Sequence, residues 1–337
     1  MPNEVLDRIC RQFCRQFELP GLAAALVKGG QLVWAGSTGS AQLELAVPLT
    51  TDGLFEIASL TKLFTAEAIM LLVQASRLAL TDAIGNYLDS LPEAWQGIRI
   101  IDILHHRSGI RNYTTLPAYW KHTREDLPYS HILELVADLP LEAAPGSRYA
   151  YDNTGFFLLG LLLESISGKI YGELLQELIF APLGMQATRV QDYTAIVPGR
   201  VAGYTKIEGE IRNKPYYSAT GTFSGGCLLS SVNDLARYSA SLHTRALLPE
   251  SLRAQMWTPE PSPAGNELAA GFCLGLGWFH LDDPPFWGHN GSIKGFASAL
   301  VHMPDVRTTA IVLTNGDWLE RPDRLAVDLI ARLAEAK

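Results

Sequence analysis

The sequence predicts an α/β (α+β) protein: an antiparallel sheet built from both termini, flanked by helices, with a mostly helical lobe inserted between them. Three observations predict it. Strand-like runs occupy the two ends of the chain, and the middle carries helical periodicity. Gly29-Gly30 separates the first two runs, and both positions tolerate the positive φ of a tight hairpin.

The elements follow in order. Residues 4–17 repeat Val5, Ile9, Phe13 and Phe17 on one helical face, and Pro20-Gly21 ends that helix. Residues 22–27 and 32–35 read as the hairpin strands. A long helix is expected over 59–77, with Leu63, Ala66, Ile69, Met70 and Val73 on its apolar positions. From 80 to 215 the pattern is helical, over 100–105, 132–139, 155–166 and 171–179, with turns at Pro145-Gly146 and Pro182-Leu183-Gly184. The last third turns to Val, Ile, Phe and Trp. Strands are expected at 275–281, 296–303 and 308–314, with a turn at Pro304-Asp305, and a helix at 323–336 closes the chain. Residues 1–80 plus 220–337 are thus expected to form a discontinuous α/β domain, and 81–219 a helical domain. A cleft between two such lobes is a usual place for a binding site.

Composition limits the function. The chain has 337 residues, 47% apolar and 18% charged, which is the balance of an ordered globular protein. Its net charge is −8 and no Lys/Arg run interrupts that, so nucleic acid and anionic membrane surfaces are not expected partners. The N-terminus lacks an apolar leader with a cleavage site, and the longest apolar stretch, 156–163, is too short to span a bilayer. The expected location is cytoplasmic, or secreted if a leader has been trimmed away. Cys10, Cys14, Cys227 and Cys273 are too sparse for a disulfide scaffold, and nothing near Cys10 and Cys14 completes a zinc site. They read as packed thiols. No metal and no cofactor is expected.

Three short motifs carry chemistry. Ser59-Leu60-Thr61-Lys62 opens the long helix, where free N–H groups and the helix dipole favour negative charge. Lys62 lies one turn from Ser59, close enough to take its proton if burial lowers the amine's pKa. Tyr151-Asp152-Asn153 precedes an apolar helix. A tyrosine can pass a proton, and an asparagine can accept from an ammonium while donating to a carbonyl. His289-Asn290-Gly291-Ser292 stands just before the expected strand 296–303, where a backbone N–H can point at an oxyanion. Each motif alone also reads as an ordinary cap, turn or structural histidine, with Asn153 itself a good cap. Each spacing occurs once in the chain, and the three stand together in a fixed order.

This set resembles the penicillin-recognising serine hydrolases: class C β-lactamases, D,D-carboxypeptidases, D-aminopeptidases and related esterases. The stretches 54–66, 104–110, 223–226, 274–278 and 288–296 are also similar to that superfamily. The resemblance implies a β-lactamase/transpeptidase-like fold and an acyl-enzyme on Ser59. By the same resemblance Lys62 accepts the hydroxyl proton, and Tyr151 protonates the leaving group and later helps activate water. Asn153 holds Lys62 and the substrate amide, and His289 supports Tyr151. The backbone N–H groups of Ser59 and Ser292 form the oxyanion hole, and Gly291 and Tyr113 contact the substrate. Where family β-lactamases usually carry Lys-Thr-Gly, this chain has His289-Asn290-Gly291. A neutral histidine is a weaker carboxylate anchor.

The leading expectation is a hydrolase of an amide, peptide or ester bond in a small molecule or short peptide, including peptides with D-residues. An acyltransferase, a weak class C-type β-lactamase and a non-catalytic binding homologue are the alternatives. No Gly-x-Ser-x-Gly elbow or His-Glu-x-x-His zinc motif points elsewhere. Aromatic residues in the loops 111–130, 204–222 and 258–270 (Tyr113, Tyr119, Trp120, Tyr204, Tyr216, Tyr217, Phe223) suggest an apolar pocket, or packing of those loops on the lobe.

Overall fold

A computed structural model describes residues 2–261 and 272–335. Most of the 258–270 loop therefore lies outside the described residues. The chain begins with the helix Pro2–Gln16, then strands β1 (Gly21–Lys28), β2 (Gln31–Gln42) and β3 (Val47–Pro48). Short strands β4 (Phe55–Glu56), β5 (Arg189–Val190), β6 (Tyr204–Ile207), β7 (Glu210–Asn213) and β8 (Leu228–Ser230) follow through the middle. The last third supplies β9 (Glu260–Pro261), β10 (Phe272–Leu274), β11 (Phe279–Asp282), β12 (Pro285–Ile293), β13 (Phe296–Met303) and β14 (Thr308–Thr314), then the helix Pro322–Glu335.

The main sheet runs β3-β2-β1-β14-β13-β12-β11-β10-β9, and every pairing in it is antiparallel. The two termini meet at its centre, where Leu22 faces Thr314 and Lys28 faces Thr308. Alternation along β1 builds two cores. Leu22, Ala24 and Leu26 pack with the two terminal helices, through Leu6, Cys10, Leu325 and Leu329. Ala23, Ala25 and Val27 point the other way, into the larger core and towards the helix Val232–Ser241. With both faces covered, β1 is apolar at nearly every position, which is why it reads as a continuous run.

The long helix, Thr61–Gln74, is buried along almost its full length, including its polar residues Thr61, Lys62, Thr65 and Glu67. It packs against the lobe helix Asn153–Ser167, whose Gly160 leaves room for Ser224. A Cβ at Gly160 would lie 2.2 Å from the Ser224 hydroxyl.

Three differences from the sequence reading bear on the site. The strand expected over 275–281 is broken: β10 ends at Leu274 and β11 starts at Phe279. Between them Gly277 takes φ +74°, and the Gly275 N–H closes a tight turn on the Trp278 carbonyl at 2.8 Å. The His289 motif lies within strand β12 rather than in the approach to a strand. The middle region also holds the β6–β7 hairpin, which helical periodicity did not signal. All four cysteines are free. Among the described residues, no single helix is long and apolar enough to cross a membrane.

Candidate active site

Ser59 sits in the 3-10 turn Ala58–Leu60 that feeds the helix Thr61–Gln74. Its side chain caps nothing, so the hydroxyl is free for other work. Ala58 is held at φ +48°, a conformation that is costly for a residue with a Cβ and that clusters at functional sites. Strand β12 braces this turn. A Cβ at Gly291 would lie 2.4 Å from the Ile57 carbonyl oxygen and 2.2 Å from the Ser298 hydroxyl. Gly291, expected to contact substrate, is thus packed against the backbone leading to Ser59 and does not line the cavity.

Lys62 is fully buried, and its amine has three polar neighbours. Nζ lies 2.8 Å from Asn153 Oδ1, 2.8 Å from the Gly225 carbonyl and 3.3 Å from Ser59 Oγ. Burial lowers its pKa from 10.5 to about 7, and the charge of Asp152 opposes that fall. A neutral amine has two N–H bonds and one lone pair. The two carbonyl oxygens take the two hydrogens, which leaves the lone pair for the Ser59 hydroxyl proton.

Tyr151 donates its hydroxyl proton to Ser59 Oγ at 2.8 Å. Burial raises its pKa, so at neutral pH it is a phenol and a donor. Its ring packs on His106, with centroids 4.6 Å apart, and its backbone carbonyl accepts from Asn112 Nδ2 at 3.1 Å. The helix cap here is Asp152, whose Oδ1 accepts from the Gly155 N–H at 2.9 Å. Asn153, which the sequence reading also allowed as the cap, is the first helical residue. Its amide is free to span Lys62 and Thr114, donating to Thr114 Oγ1 at 3.1 Å.

His289 is buried and neutral, its pKa lowered to about 3 by burial and by the Lys62 charge. Its Nδ1–H donates to the Asn290 carbonyl at 2.6 Å, because a carbonyl can only accept. The ring lies 4.6 Å from Phe279 and 6.2 Å from Tyr151, centroid to centroid. It therefore adds no positive charge beside Tyr151.

Ser59, Asn153, Ser292 and Tyr113 line one cavity of about 490 Å³. Tyr113 reaches it as a buried ring whose hydroxyl donates to the Gly221 carbonyl at 2.7 Å. Of the other flagged aromatics, Tyr119, Trp120 and Tyr217 share that wall. Tyr204 and Tyr216 instead hydrogen-bond Glu44 and Asp126, and Phe223 packs with Tyr129. The facing wall is polar, with Thr205, Lys206, Lys294 and Asp317. Lys206 is paired with Glu18 at 2.6 Å, and Asp317 accepts from the Gly295 N–H at 3.0 Å. Lys294 has no ion-pair or hydrogen-bond partner among the described residues.

Sequence reasoning assigned no role to Thr114, Asn112, Gly225, His106, Asp152 or Lys294. His106 and Gly225 lie in stretches that carried the family resemblance, which was the available signal. Among the described residues, no group of three His, Cys, Asp or Glu side chains is placed to hold a metal.

Known proteins resemble the chain in sequence and in fold. Penicillin-binding protein 4* of Bacillus subtilis (strain 168) is 27% identical over 322 residues, covering 89% of this chain and 68% of its own length. A D-aminopeptidase of Brucella anthropi is 27% identical over 317 residues, covering 93% of this chain, which spans only 59% of that protein. The octameric penicillin-binding protein homologue from Pyrococcus abyssi superposes with TM-score 0.85 at 26% identity, over 98% of this chain and 77% of that one. D-amino acid amidase from Ochrobactrum anthropi SV3 shares the fold, with TM-score 0.87 at 21% identity, over 100% and 99% of the two chains. The Beta-lactamase family model matches residues 6–335, and the chain belongs to the Beta-lactamase family.

Proposed function

We propose that this chain hydrolyses an amide, peptide or ester bond in a small substrate through an acyl-enzyme on Ser59. The observation that carries the reading is the environment of Lys62. Two carbonyl acceptors and one hydroxyl surround an amine whose burial lets it be neutral near pH 7. Such an amine takes the Ser59 proton as Oγ attacks the carbonyl carbon. The Tyr151 phenol, already hydrogen-bonded to Oγ, gives its proton to the leaving group and is reprotonated from the Lys62 ammonium. Water then attacks the ester, its proton returning along the same path, and Ser59 is released.

The oxyanion hole is assigned to the N–H groups of Ser59 and Ser292. Ser59 opens a helical turn, whose first N–H groups lack intrahelical acceptors. Strand β11 pairs with β12 only as far as Gly288, so the edge of β12 near Ser292 has no strand beside it among the described residues. Asn153 is assigned to the substrate amide as well as to Lys62. Tyr113 shapes the apolar wall, and His289 packs beside the catalytic ring as a neutral group. The cleft is assigned to the junction of the body, 1–80 plus 220–337, with the lobe, 81–219.

The cavity has the size of a site for a small molecule or short peptide. Its aromatic wall fits an apolar side chain beside the scissile bond. The D-aminopeptidase relatives support an amide next to a D-residue as the first substrate to try.

Intact-protein mass spectrometry tests the reading, after incubation with a p-nitrophenyl acyl ester and, separately, a penicillin. Wild type is expected to gain the acyl mass, and Ser59→Ala is expected to gain none and to lose turnover by about 10³-fold or more. Unchanged turnover in Ser59→Ala overturns the assignment. An adduct with the ester alone selects the esterase or peptidase chemistry over β-lactam chemistry.

A further inference from the structure

Asp152 stands between the two residues that hold the reacting pair. Tyr151 binds Ser59, and Asn153 binds Lys62. Asp152 itself is 1% exposed. Its carboxylate receives neutral donors: the Gly155 N–H on Oδ1 at 2.9 Å and the Ser108 hydroxyl on Oδ2 at 2.5 Å, with the Thr154 N–H beside them. Ser108 Oγ is fixed in turn by the Ile110 N–H at 3.0 Å, and the Asp152 N–H donates to His106 Nδ1 at 3.0 Å. No Lys, Arg or His forms an ion pair with Asp152 among the described residues.

A helix cap does not require this charge. Serine or asparagine would accept from Gly155 equally well. An ionised carboxylate at this depth is costly unless its charge is matched. The groups that bear on it are Lys62 from the helix Thr61–Gln74, His106 from the loop after Ile100–Leu104, Tyr151 from its own segment and Tyr113, while His289 from β12 bears on Lys62 in turn. Burial keeps the tyrosines protonated and both histidines uncharged. Lys62 is then the cation that Asp152 feels, and Asp152 the anion that Lys62 feels.

We infer that Asp152 is a positioning residue whose negative charge sets the protonation of Lys62, and with it the pH at which Ser59 becomes a nucleophile. The inference rests on the Ser59–Lys62 reading above. Burial alone drives the amine towards neutrality, and Asp152 restores part of its proton affinity. Lys62 is thereby poised between holding a proton and taking one, as an acid–base group that works in both directions must be.

The test is the pH dependence of Ser59 acylation by a p-nitrophenyl ester, compared among wild type, Asp152→Asn and Asp152→Ser. Both variants keep an acceptor for the Gly155 N–H and remove the charge. Losing the anion makes Lys62 release its proton more easily. The midpoint of the rising limb is expected to fall by about one pH unit or more. A purely structural cap predicts a lower melting temperature with the midpoint unmoved, and that result, or an upward shift, overturns the inference. Labelling of Ser59 by a fluorophosphonate reads the same midpoint without turnover. If neither variant folds, Ser108→Ala leaves the cap intact and removes the donor that favours the Asp152 anion. It is expected to move the midpoint the same way by a smaller amount, and no movement overturns the inference. A wild type with no Ser59-dependent labelling at any pH instead sinks the hydrolase reading, a result separable from an unmoved midpoint.

Discussion

The helix Thr61–Gln74 buries two ionisable groups, Lys62 near its start and Glu67 one and a half turns later, and treats them oppositely. Glu67 meets the Arg253 guanidinium in a bidentate pair at 2.6 and 2.7 Å, with the Tyr238 hydroxyl at 3.4 Å. Both partners are buried, and each charge is answered at contact distance. Lys62 has neutral oxygens at contact distance, and its anion, Asp152, forms no hydrogen bond or ion pair with it. The Glu67 pair holds the helix to the segment Glu250–Met256 by a bidentate charged contact. Lys62 is left able to change state. The same helix thus contains a finished ion pair and an unfinished one, and the unfinished one lies beside Ser59.

Replacing Lys62 breaks the comparison most sharply. Lys62→Met is expected to lower turnover by about 10²–10⁴-fold, the range that one proton-transfer group supplies. The same change removes the cost of burying the amine, a gain reduced by leaving Asp152 without its cation and the Asn153 and Gly225 oxygens without their donor. The net effect expected at neutral pH is stabilising. The folded-state pKa, about 7, lies below the usual 10.5, so the folded protein binds fewer protons than the unfolded chain between those values. Stability therefore rises with pH across that window and is lost as pH falls towards 7. The deficit at pH 7 is on the order of 3–5 kcal/mol. Thermal melts should show Lys62→Met above wild type at pH 7, with the gap closing towards pH 10. A variant that melts lower at pH 7 would show that Lys62 is a structural contact.

Arg253→Met should do the reverse. It strands the Glu67 carboxylate in the core, and breaking a buried pair in this way costs about 3–5 kcal/mol. The protein should melt well below wild type, while the acylation rate per folded molecule stays unchanged. Adding Glu67→Gln should recover much of the loss, because the penalty comes from the unpaired charge. A large fall in the acylation rate of folded Arg253→Met would mean that the two ends of the helix are coupled.

This contrast also marks how far the sequence could be read. Ser59 and Lys62 are three residues apart on one helix, so their meeting is a local fact that spacing reveals. The strands β1, β13 and β14 are buried runs that composition exposes. Strand β12 carries Gly288, Asn290, Gly291 and Ser292, residues of low strand propensity, and becomes a strand through its pairing with β13. The β6–β7 hairpin is hidden for a related reason: Glu210 to Asn213 are all exposed, and a lone Ile211 among polar residues does not make the apolar alternation that marks a half-buried strand. The partners of Lys62 at Asn153 and Gly225 lie 91 and 163 residues away, and no local pattern encodes such contacts. Asp152 was legible as a letter between Tyr151 and Asn153. Its charge acquires meaning only when Ser108 and Lys62 are brought to it.

A third cation sharpens the comparison at its weak end. Lys294 stands on the β12–β13 turn, held by Gly295 at φ +87° and by the pairing of Ile293 with Phe296. It lines the cavity that contains Ser59 and is exposed. Where Glu67 has its partner and Lys62 has a distant one, Lys294 has none among the described residues, so substrate can supply it. A carboxylate on the side of the substrate facing Ser292 would meet this ammonium. Water and salt screen an exposed pair, so its worth is about 1 kcal/mol or less, roughly fivefold in affinity. Lys294→Met is therefore expected to raise KM up to about fivefold for a carboxylate-bearing ester, with kcat little changed and the matched neutral ester unaffected. The wild-type preference for the anionic ester should shrink as ionic strength rises and the Debye length falls. Equal losses on both esters would make Lys294 a shaping residue of the turn. Loss confined to the anionic ester would show that the cavity selects charge with a lysine that sits at its rim and takes no part in the proton transfers beneath it.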